Sequence, residues 1–383
     1  MAKHQNKIEK LISELCPNGV RYGNLGEICD IRIGDRLEKI QMKKTGEFPV
    51  YGGGVNITGY YDEKNANANT ITLGRRGTIG YINFIKTDFF GTSNLFFLEN
   101  WHKDIDPRFA FYALKVQEPQ LMISKKIGAQ PAIDKPQLEK IKIPIPPLAI
   151  QEEIVKILNN FTELETELET ELEARKKQYK YYRIKLLTFN KRERVEWLTL
   201  GDIGKVSMCK RIFKNQTSEK ESIPFYKIGT FGKEANAFIS EEIFNKYRQK
   251  FSFPKKGDIL LSASGTIGRR VIYDGKPAYF QDSNIVWIDN DEELVLNKYL
   301  CYLYSVIEWK VSTGGTISRL YNNIILNTEV GIPSLNEQER IVSILDKFST
   351  LVTNIKEGLP AEIELRRKQY EYYRNKLLTF DKE

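Results

Sequence analysis

From Gln151 to about Leu187 the apolar positions Ile154, Ile157, Phe161, Leu164, Leu168, Leu172, Tyr179, Tyr182 and Leu186 fall mostly three and four apart, which is a heptad seam. Glu163, Glu165, Glu167, Glu169, Glu171 and Glu173 fill the other faces and no Gly or Pro interrupts the run. This spacing predicts one helix of about 37 residues, roughly 55 Å long at 1.5 Å per residue. A second seam runs from Glu337 to Phe380 through Ile341, Ile344, Phe348, Leu351, Ile355, Tyr370, Tyr373 and Leu377, with Gly358 and Pro360 marking an unwinding or a kink. A single amphipathic helix of this length would leave its seam wet, so two in one chain predict mutual antiparallel pairing, an intramolecular coiled coil.

The two seams belong to an internal repeat. Arg175-Lys-Lys-Gln-Tyr-Lys-Tyr-Tyr-Arg-Ile-Lys-Leu-Leu-Thr-Phe189 returns as Arg366-Arg-Lys-Gln-Tyr-Glu-Tyr-Tyr-Arg-Asn-Lys-Leu-Leu-Thr-Phe380, and Ile145-Pro-Pro-Leu-Ala-Ile-Gln-Glu-Glu-Ile-Val-Lys-Ile-Leu158 as Ile332-Pro-Ser-Leu-Asn-Glu-Gln-Glu-Arg-Ile-Val-Ser-Ile-Leu345. Weaker echoes pair Leu25-Gly-Glu-Ile28 with Leu200-Gly-Asp-Ile203, Gly77-Thr-Ile-Gly80 with Gly265-Thr-Ile-Gly268, and Ser93-Asn94 with Ser283-Asn284. The stretch from Leu200 to Gly265 is longer than its counterpart, so the second copy carries an insertion there. Each half thus has a variable globular part and a nearly copied helical part.

The globular parts alternate short β-like runs (Thr70–Leu73, Tyr81–Ile85, Asn94–Leu98, Asp258–Leu261, Arg270–Tyr273, Asn284–Ile288) with Gly and Asn, and short helices fit Pro107–Val116 and Leu296–Trp309. The class is α+β: two similar mixed globular domains separated by two long antiparallel helices, related by a pseudo-two-fold. The boundaries read as an N-terminal helix over 1–19, globular domains over 20–147 and 191–334, and helical regions over 148–190 and 335–383.

Composition narrows the chemistry. The 383 residues carry 58 Lys plus Arg against 50 Asp plus Glu, a net charge of +8, compatible with an anionic partner. Because the Glu-rich helix offsets basic globular parts, the whole-chain figure understates their local charge. With only His4 and His102 and no Cys-x-x-Cys among Cys16, Cys29, Cys209 and Cys301, a zinc cluster, a Ser-His-Asp triad and a disulfide framework are all disfavoured. There is no phosphate loop of the Gly-x-x-x-x-Gly-Lys type and no Asn/Asp-Pro-Pro-Tyr/Phe, the only Pro pair being Pro146-Pro147 after Ile145. Tyr51-Gly-Gly-Gly54 and Gly74-Arg-Arg-Gly-Thr-Ile-Gly80 read as structural turns, not a cofactor loop. A charged N-terminus and no apolar run of about 18 residues point to a cytoplasmic protein without a membrane span.

On these residues the chain resembles the DNA-specificity subunits of type I restriction-modification systems over nearly its whole length. The repeated Ile-Pro-x-Leu-x-x-Gln-x-x-Ile-Val-x-Ile-Leu and Arg-Lys-x-Gln-Tyr-x-Tyr-Tyr-Arg segments carry the resemblance, and Gly128–Ile133 and Gly314–Ser318 look like the Gly-containing segments that close such recognition domains. The resemblance implies two target-recognition domains, each reading one half of a split double-stranded DNA site. It further implies helices that set the half-site separation and dock two methyltransferase subunits, with restriction subunits as further partners. The chain itself would have no catalytic residue, metal or cofactor; S-adenosylmethionine would belong to the methyltransferase partner, which methylates adenine. The competing readings are a DNA-modifying enzyme with its own catalytic site and a stand-alone DNA-binding or coiled-coil scaffold.

A duplex reader needs cations around glycine-punctuated loops. The candidates are Arg32, Arg36, Lys43, Lys44, Arg75, Arg76, Lys125, Lys126 and Gln130 in the first domain, and Lys210, Arg211, Lys214, Lys246, Arg248, Lys255, Lys256, Arg269, Arg270 and Arg319 in the second. Arg75, Arg76, Arg269 and Arg270 rank first because they flank the repeated Gly-Thr-Ile-Gly. For the helices the seam or partner-contact candidates are Ile154, Phe161, Leu168, Tyr179, Tyr181, Tyr182, Leu186, Ile341, Phe348, Ile355, Tyr370, Tyr372, Tyr373 and Leu377. The doubled tyrosines place Tyr181 and Tyr372 outside a strict seam, which suits a docking face.

Overall fold

The computed structural model describes residues 2–123, 133–190, 195–311 and 318–382. The first half begins with helix α1 (Ala2–Leu15), strand β1 (Tyr22–Asn24), the short helix α2 (Leu25–Ile28), β2 (Asp30–Ile33) and a 3-10 turn at Lys39–Gln41. There follow β3 (Phe48–Tyr51), β4 (Ile57–Tyr61), β5 (Thr70–Gly74), β6 (Ile82–Ile85), β7 (Phe90–Gly91) and β8 (Leu95–Glu99). Helices α3 (Pro107–Ile123) and α4 (Lys135–Glu139) and strand β9 (Lys142–Pro144) lead into α5 (Leu148–Leu187), a helix of 40 residues.

The second half repeats this order: β10 (Glu196–Thr199), α6 (Leu200–Ile203), β11 (Lys205–Ser207), a 3-10 turn at Lys214–Gln216, β12 (Ile223–Tyr226) and β13 (Phe238–Ile239). Then come α7 (Glu241–Lys250), β14 (Ile259–Ser262), β15 (Arg270–Ile272), β16 (Tyr279–Phe280), β17 (Ile285–Asp289), α8 (Asn297–Leu303), α9 (Asn322–Leu326), β18 (Glu329–Ile332), α10 (Leu335–Thr353) and α11 (Leu359–Leu377). Helix α7, capped by the Ser240 hydroxyl accepting from the Ile243 N–H, has no counterpart between β4 and β5. It accounts for the insertion expected between Leu200 and Gly265.

Sheet order shows the duplication where the sequence echoes are faint. The first half forms sheets β2-β8-β5-β6, β4-β3-β7 and β1-β9; the second forms β11-β17-β14-β15, β13-β12-β16 and β10-β18. In both, the small sheet contains one parallel pair, β3 with β7 and β12 with β16. The buried strands β5 and β14 read Thr-Ile-Thr-Leu-Gly and Ile-Leu-Leu-Ser with every residue inside, as strands covered on both faces should.

The chain divides into two compact units, one of Met1–Glu169 with Glu362–Glu383 and the other of Thr170–Ala361. In the first, the buried core gathers Leu25, Ile71, Phe96, Phe109, Ile150 and Ile154 together with Leu377, Leu378 and Phe380. Here the C-terminal copy of the Tyr-Tyr-Arg segment serves the N-terminal globular part: the Val20 N–H donates to the Asp381 carbonyl at 2.8 Å and the Tyr22 hydroxyl to that of Phe380 at 3.1 Å. Within this unit α11 runs antiparallel to the start of α5, because Tyr373 stacks on Phe161 while Arg367 meets Glu165 and Glu169. In the second unit, Leu187, Leu200, Leu261, Tyr299, Ile341 and Leu345 share a core, and Phe348 stacks on Tyr179 and Tyr182 at 6.4 and 5.6 Å.

The second helical region departs from the expected seam at Ile355, which is 79% exposed. Helix α10 ends at Thr353 with Asn354 as its cap, and a turn follows, closed by the Gly358 N–H donating to the Asn354 carbonyl at 3.0 Å. A Cβ at Gly358 would lie 2.4 Å from the Thr350 carbonyl oxygen, so glycine is what lets the chain turn there. Ile355 sits in that turn and packs into no helix seam.

Candidate nucleic-acid interface

In the first unit three loops converge at one end of the central sheet. The Arg75 and Arg76 N–H groups donate to the Asn94 carbonyl at 2.8 and 3.2 Å, and the Arg75 guanidinium to the Ser93 carbonyl at 3.2 Å. The Thr78 N–H donates to the Gly53 carbonyl at 2.7 Å. A Cβ on Gly53 would lie 1.6 Å from the Arg76 carbonyl oxygen, so this position is glycine because backbone meets backbone there. Beside this junction lies a cleft of about 830 Å³ whose wall includes Lys39, Lys43, Lys44, Tyr60, Ser93 and Asn94. Arg76 and Lys44 are exposed, while Lys43 pairs with Asp62 at 2.5 Å and Arg36 with Glu38 at 3.0 Å, all on the surface. Arg32 differs: its guanidinium grips Glu99 through two nitrogens, at 2.7 and 3.0 Å, and lies 4.1 Å over the Phe97 ring, so it is tied into the fold.

The second unit builds the same junction from other side chains. The Ala263 N–H takes the place of that of Arg75, donating to the Asn284 carbonyl at 2.8 Å. The guanidinium on the neighbouring Ser283 carbonyl now comes from Arg319, at 3.2 Å. Arg269 and Arg270 follow the repeated Gly-Thr-Ile-Gly whereas Arg75 and Arg76 precede it, so the four are not equivalent. Arg269 donates to the Phe231 carbonyl at 2.8 Å, and Arg270, half-buried, lies near the Cys301 thiol. Burial raises the Cys301 thiol against that contact.

The other candidates lie apart. Arg211 pairs with Asp282 at 2.8 Å, and Lys210 sits 5.1 Å over Phe251. Arg248 lies over Phe253 on α7, where Lys246 is exposed. Lys255 reaches Asp289 at 3.5 Å, Lys256 packs against Gly275, and Lys214 is exposed on its turn. Lys125, Lys126 and Gln130 lie outside the described residues, as do 128–132 and 314–317 of the Gly-containing segments. No group of His, Cys, Asp and Glu among the described residues could hold a metal ion. Cys29 and Cys209 are free, their thiols pushed up to about 12 by burial.

On the helices Ile154, Phe161, Ile341 and Leu377 are buried and Leu168, Tyr179, Tyr182, Leu186, Phe348, Tyr370 and Tyr373 half-buried. Tyr181 and Tyr372 are 58% and 61% exposed, each edge-on to the following tyrosine at 5.3 Å. Two further residues matter that spacing alone did not single out. Gln151 and Gln338, both fully buried, join helix to globular part. The Gln151 amide donates to the Asp104 and Pro146 carbonyls while its oxygen accepts from the Asp106 N–H. Gln338 does the same with the Leu294 and Pro333 carbonyls and the Leu296 N–H. The signal was the repeated Gln in Ile-Pro-x-Leu-x-x-Gln.

The duplicated architecture can be set beside known proteins. The family model for the type I restriction modification DNA specificity domain matches residues 17–175 and again 192–365, most of the chain. The chain belongs to this family. A putative type I restriction enzyme specificity subunit of Haemophilus influenzae is 45% identical, the match covering 99% of this chain and 100% of that one. The specificity subunit of the EcoR124I/EcoR124II type I restriction enzyme of Escherichia coli is 38% identical over 64% of each chain. A crystal structure of the S subunit of a type I restriction-modification system from M. genitalium shares the fold with a TM-score of 0.60 at 19% identity, covering 94% of this chain and 97% of that one. Specificity chains of this family carry DNA recognition, and catalysis resides in partner subunits. Among the described residues no helix is long and apolar enough to cross a membrane.

Proposed function

We propose that each unit reads one half of a bipartite double-stranded DNA site, with domain limits near 20–147 and 191–334, and that the helical regions over 148–190 and 335–383 set the separation and dock two methyltransferase subunits. The observation that carries this reading is one sheet order built twice, with the same loop junction lined by different side chains in each copy. Two like readers with unlike tips suit two unlike half-sites. Cations at the tips contact phosphates and the polar side chains among them reach base edges. The partner supplies S-adenosylmethionine and the transfer to adenine, and restriction subunits join the same complex. Tyr181 and Tyr372 support the docking: they are exposed yet identical between the copies, as are Lys177 and Lys368, Lys185 and Lys376. Two identical exposed faces fit two copies of one partner.

Mapping methylated adenines in cells with and without the gene tests the reading. A split motif that vanishes with the gene is expected; an unchanged methylation pattern overturns it. Removing one helical repeat from both helical regions should alter the gap and leave each half-motif as it was, since groove-reading heads are spaced by turns of about 34 Å.

A further inference from the structure

The turn before β3 and the turn before β12 carry a shared pattern of cations. Arg36-Leu-Glu-Lys39-Ile-Gln41 and Arg211-Ile-Phe-Lys214-Asn-Gln216 each lie between equivalent strands, β2 and β3 or β11 and β12, and lead at equal distance into Phe-Pro-Val-Tyr and Ile-Pro-Phe-Tyr. The backbone confirms the register: Lys43 exchanges two hydrogen bonds with Tyr60, and Ser218 exchanges two with Phe238. Both turns are held the same way. The Gln41 oxygen accepts from the Glu38 N–H at 3.0 Å, and the Gln216 oxygen from the Phe213 N–H at 2.9 Å.

What these turns present is charge. Lys39 and Lys214 are exposed and form no ion pair among the described residues, and the Arg36 and Arg211 side chains are 84% and 61% exposed. The Arg36 pair with Glu38 is a surface pair of the kind that exchanges readily for another anion, whereas Arg211 is anchored on Asp282, 16% exposed, and holds its guanidinium out toward solvent. A few residues on, the likeness ends: Lys43 and Lys44 stand where the second unit has Ser218 and Glu219, and Arg75 where it has Ala263.

Resting on the reading of the two units as half-site readers, we infer that Arg36 with Lys39 and Arg211 with Lys214 are matched phosphate grips that carry no sequence information, and that the unlike exposed positions beside them, Lys43 and Lys44 against Ser218 and Glu219, discriminate bases. Two readers of different half-sites can share only the contacts that are the same on every duplex, and those are to the backbone. Lysine, a point charge without a planar fork, suits that task.

The test uses the full chain co-expressed with its methyltransferase partner, and compares Arg36→Ala/Lys39→Ala and Arg211→Ala/Lys214→Ala with wild type. Binding is measured over a salt series on a duplex bearing the wild-type methylation motif and on a scrambled duplex. Each double variant should weaken both duplexes alike and flatten the log–log salt slope by about 2, one per cation removed. Raising salt from about 50 to about 200 mM would then cost the variant roughly tenfold less affinity than it costs wild type. The methylated motif should stay the same, the unfolding midpoint of Arg36→Ala/Lys39→Ala should not move, and the charge-keeping exchange Arg36→Lys/Lys39→Arg should restore the slope. An unchanged slope, or a relaxed motif in either half, overturns the assignment. Loss of preference in the wild-type complex itself would instead overturn the underlying reading.

Discussion

In the first unit the Arg108 guanidinium and the Tyr112 hydroxyl both donate to Asn159 Oδ1, at 3.0 and 2.7 Å; in the second, Lys298 and Tyr302 donate to the two oxygens of Asp346, each at 2.6 Å. The helices are the same, α3 against α5 and α8 against α10, and the cation and tyrosine stand one turn apart in both. What changes is the acceptor, a carboxamide in one joint and a carboxylate in the other. The companion joint does not change at all: Gln151 and Gln338 make three matching bonds apiece. Burial explains the contrast. Lys298 and Asp346 are 61% and 37% exposed, so water tolerates either acceptor. The fully buried position must donate to two carbonyls and accept from one N–H, which a neutral carboxamide does and a carboxylate cannot.

The largest effect should therefore come from the constant joint. Gln151→Ala and Gln338→Ala each leave one buried carbonyl, of Pro146 or Pro333, without its partner and strip a part-buried carbonyl and N–H of theirs, for about 3 kcal/mol lost from the unit concerned. Urea unfolding of both variants checks this, and the two losses should agree within about 1 kcal/mol. If one variant unfolds like wild type, the joints are not equivalent and the parallel between the units fails at its best-matched point.

A smaller effect should separate the variable joint. Tyr302→Phe removes a bond to a charged acceptor and Tyr112→Phe a bond to a neutral one, so losses of about 2 and about 1 kcal/mol are expected. Added salt should narrow the gap, since it screens the half-exposed carboxylate. Burial, then the Asp346 carboxylate, raises the Tyr302 phenol, so it stays a donor at any physiological pH. Equal losses at low salt would mean that the carboxylate adds nothing to the joint.

The helices, the repeat and most central strands were legible because their cause is local: apolar spacing and near-identical copies. The predicted runs Thr70–Leu73 and Asn284–Ile288 lie within one residue of strands β5 and β17. The small sheets were missed because β7 and β16 have two residues each and are held by partners far along the chain. The candidate interface was legible only as a composition of loops. Lys214 is among the sequence candidates and its counterpart Lys39 is not, since the shared pattern appears only once the strands fix the register. Arg319 standing in for Arg75 could not be read at all, because the guanidinium reaches the Ser283 carbonyl from 36 residues along the chain.

One buried position carries the comparison into the core. Just before β14 stands Asp258, 2% exposed and accepting the Lys255 N–H at 2.7 Å; the equivalent place in the first unit holds Thr70, whose neutral hydroxyl donates to the Asn67 carbonyl at 2.8 Å. Burial raises the Asp258 carboxyl, with Asp289 and Glu292 adding to it and Lys255 opposing. A carboxyl that binds its proton more tightly in the folded chain costs stability while ionised, and the cost disappears as pH falls through the raised value. Asp258→Asn keeps the acceptor and removes the charge. The variant should gain up to about 1 kcal/mol at pH 7 and lose that advantage as pH falls through the raised value, where the wild-type side chain takes up its proton too. Urea midpoints over a falling pH series decide it: a variant less stable at pH 7 would mean that the Lys255 contact outweighs burial, and that the second unit tolerates a charge where the first holds only a hydroxyl.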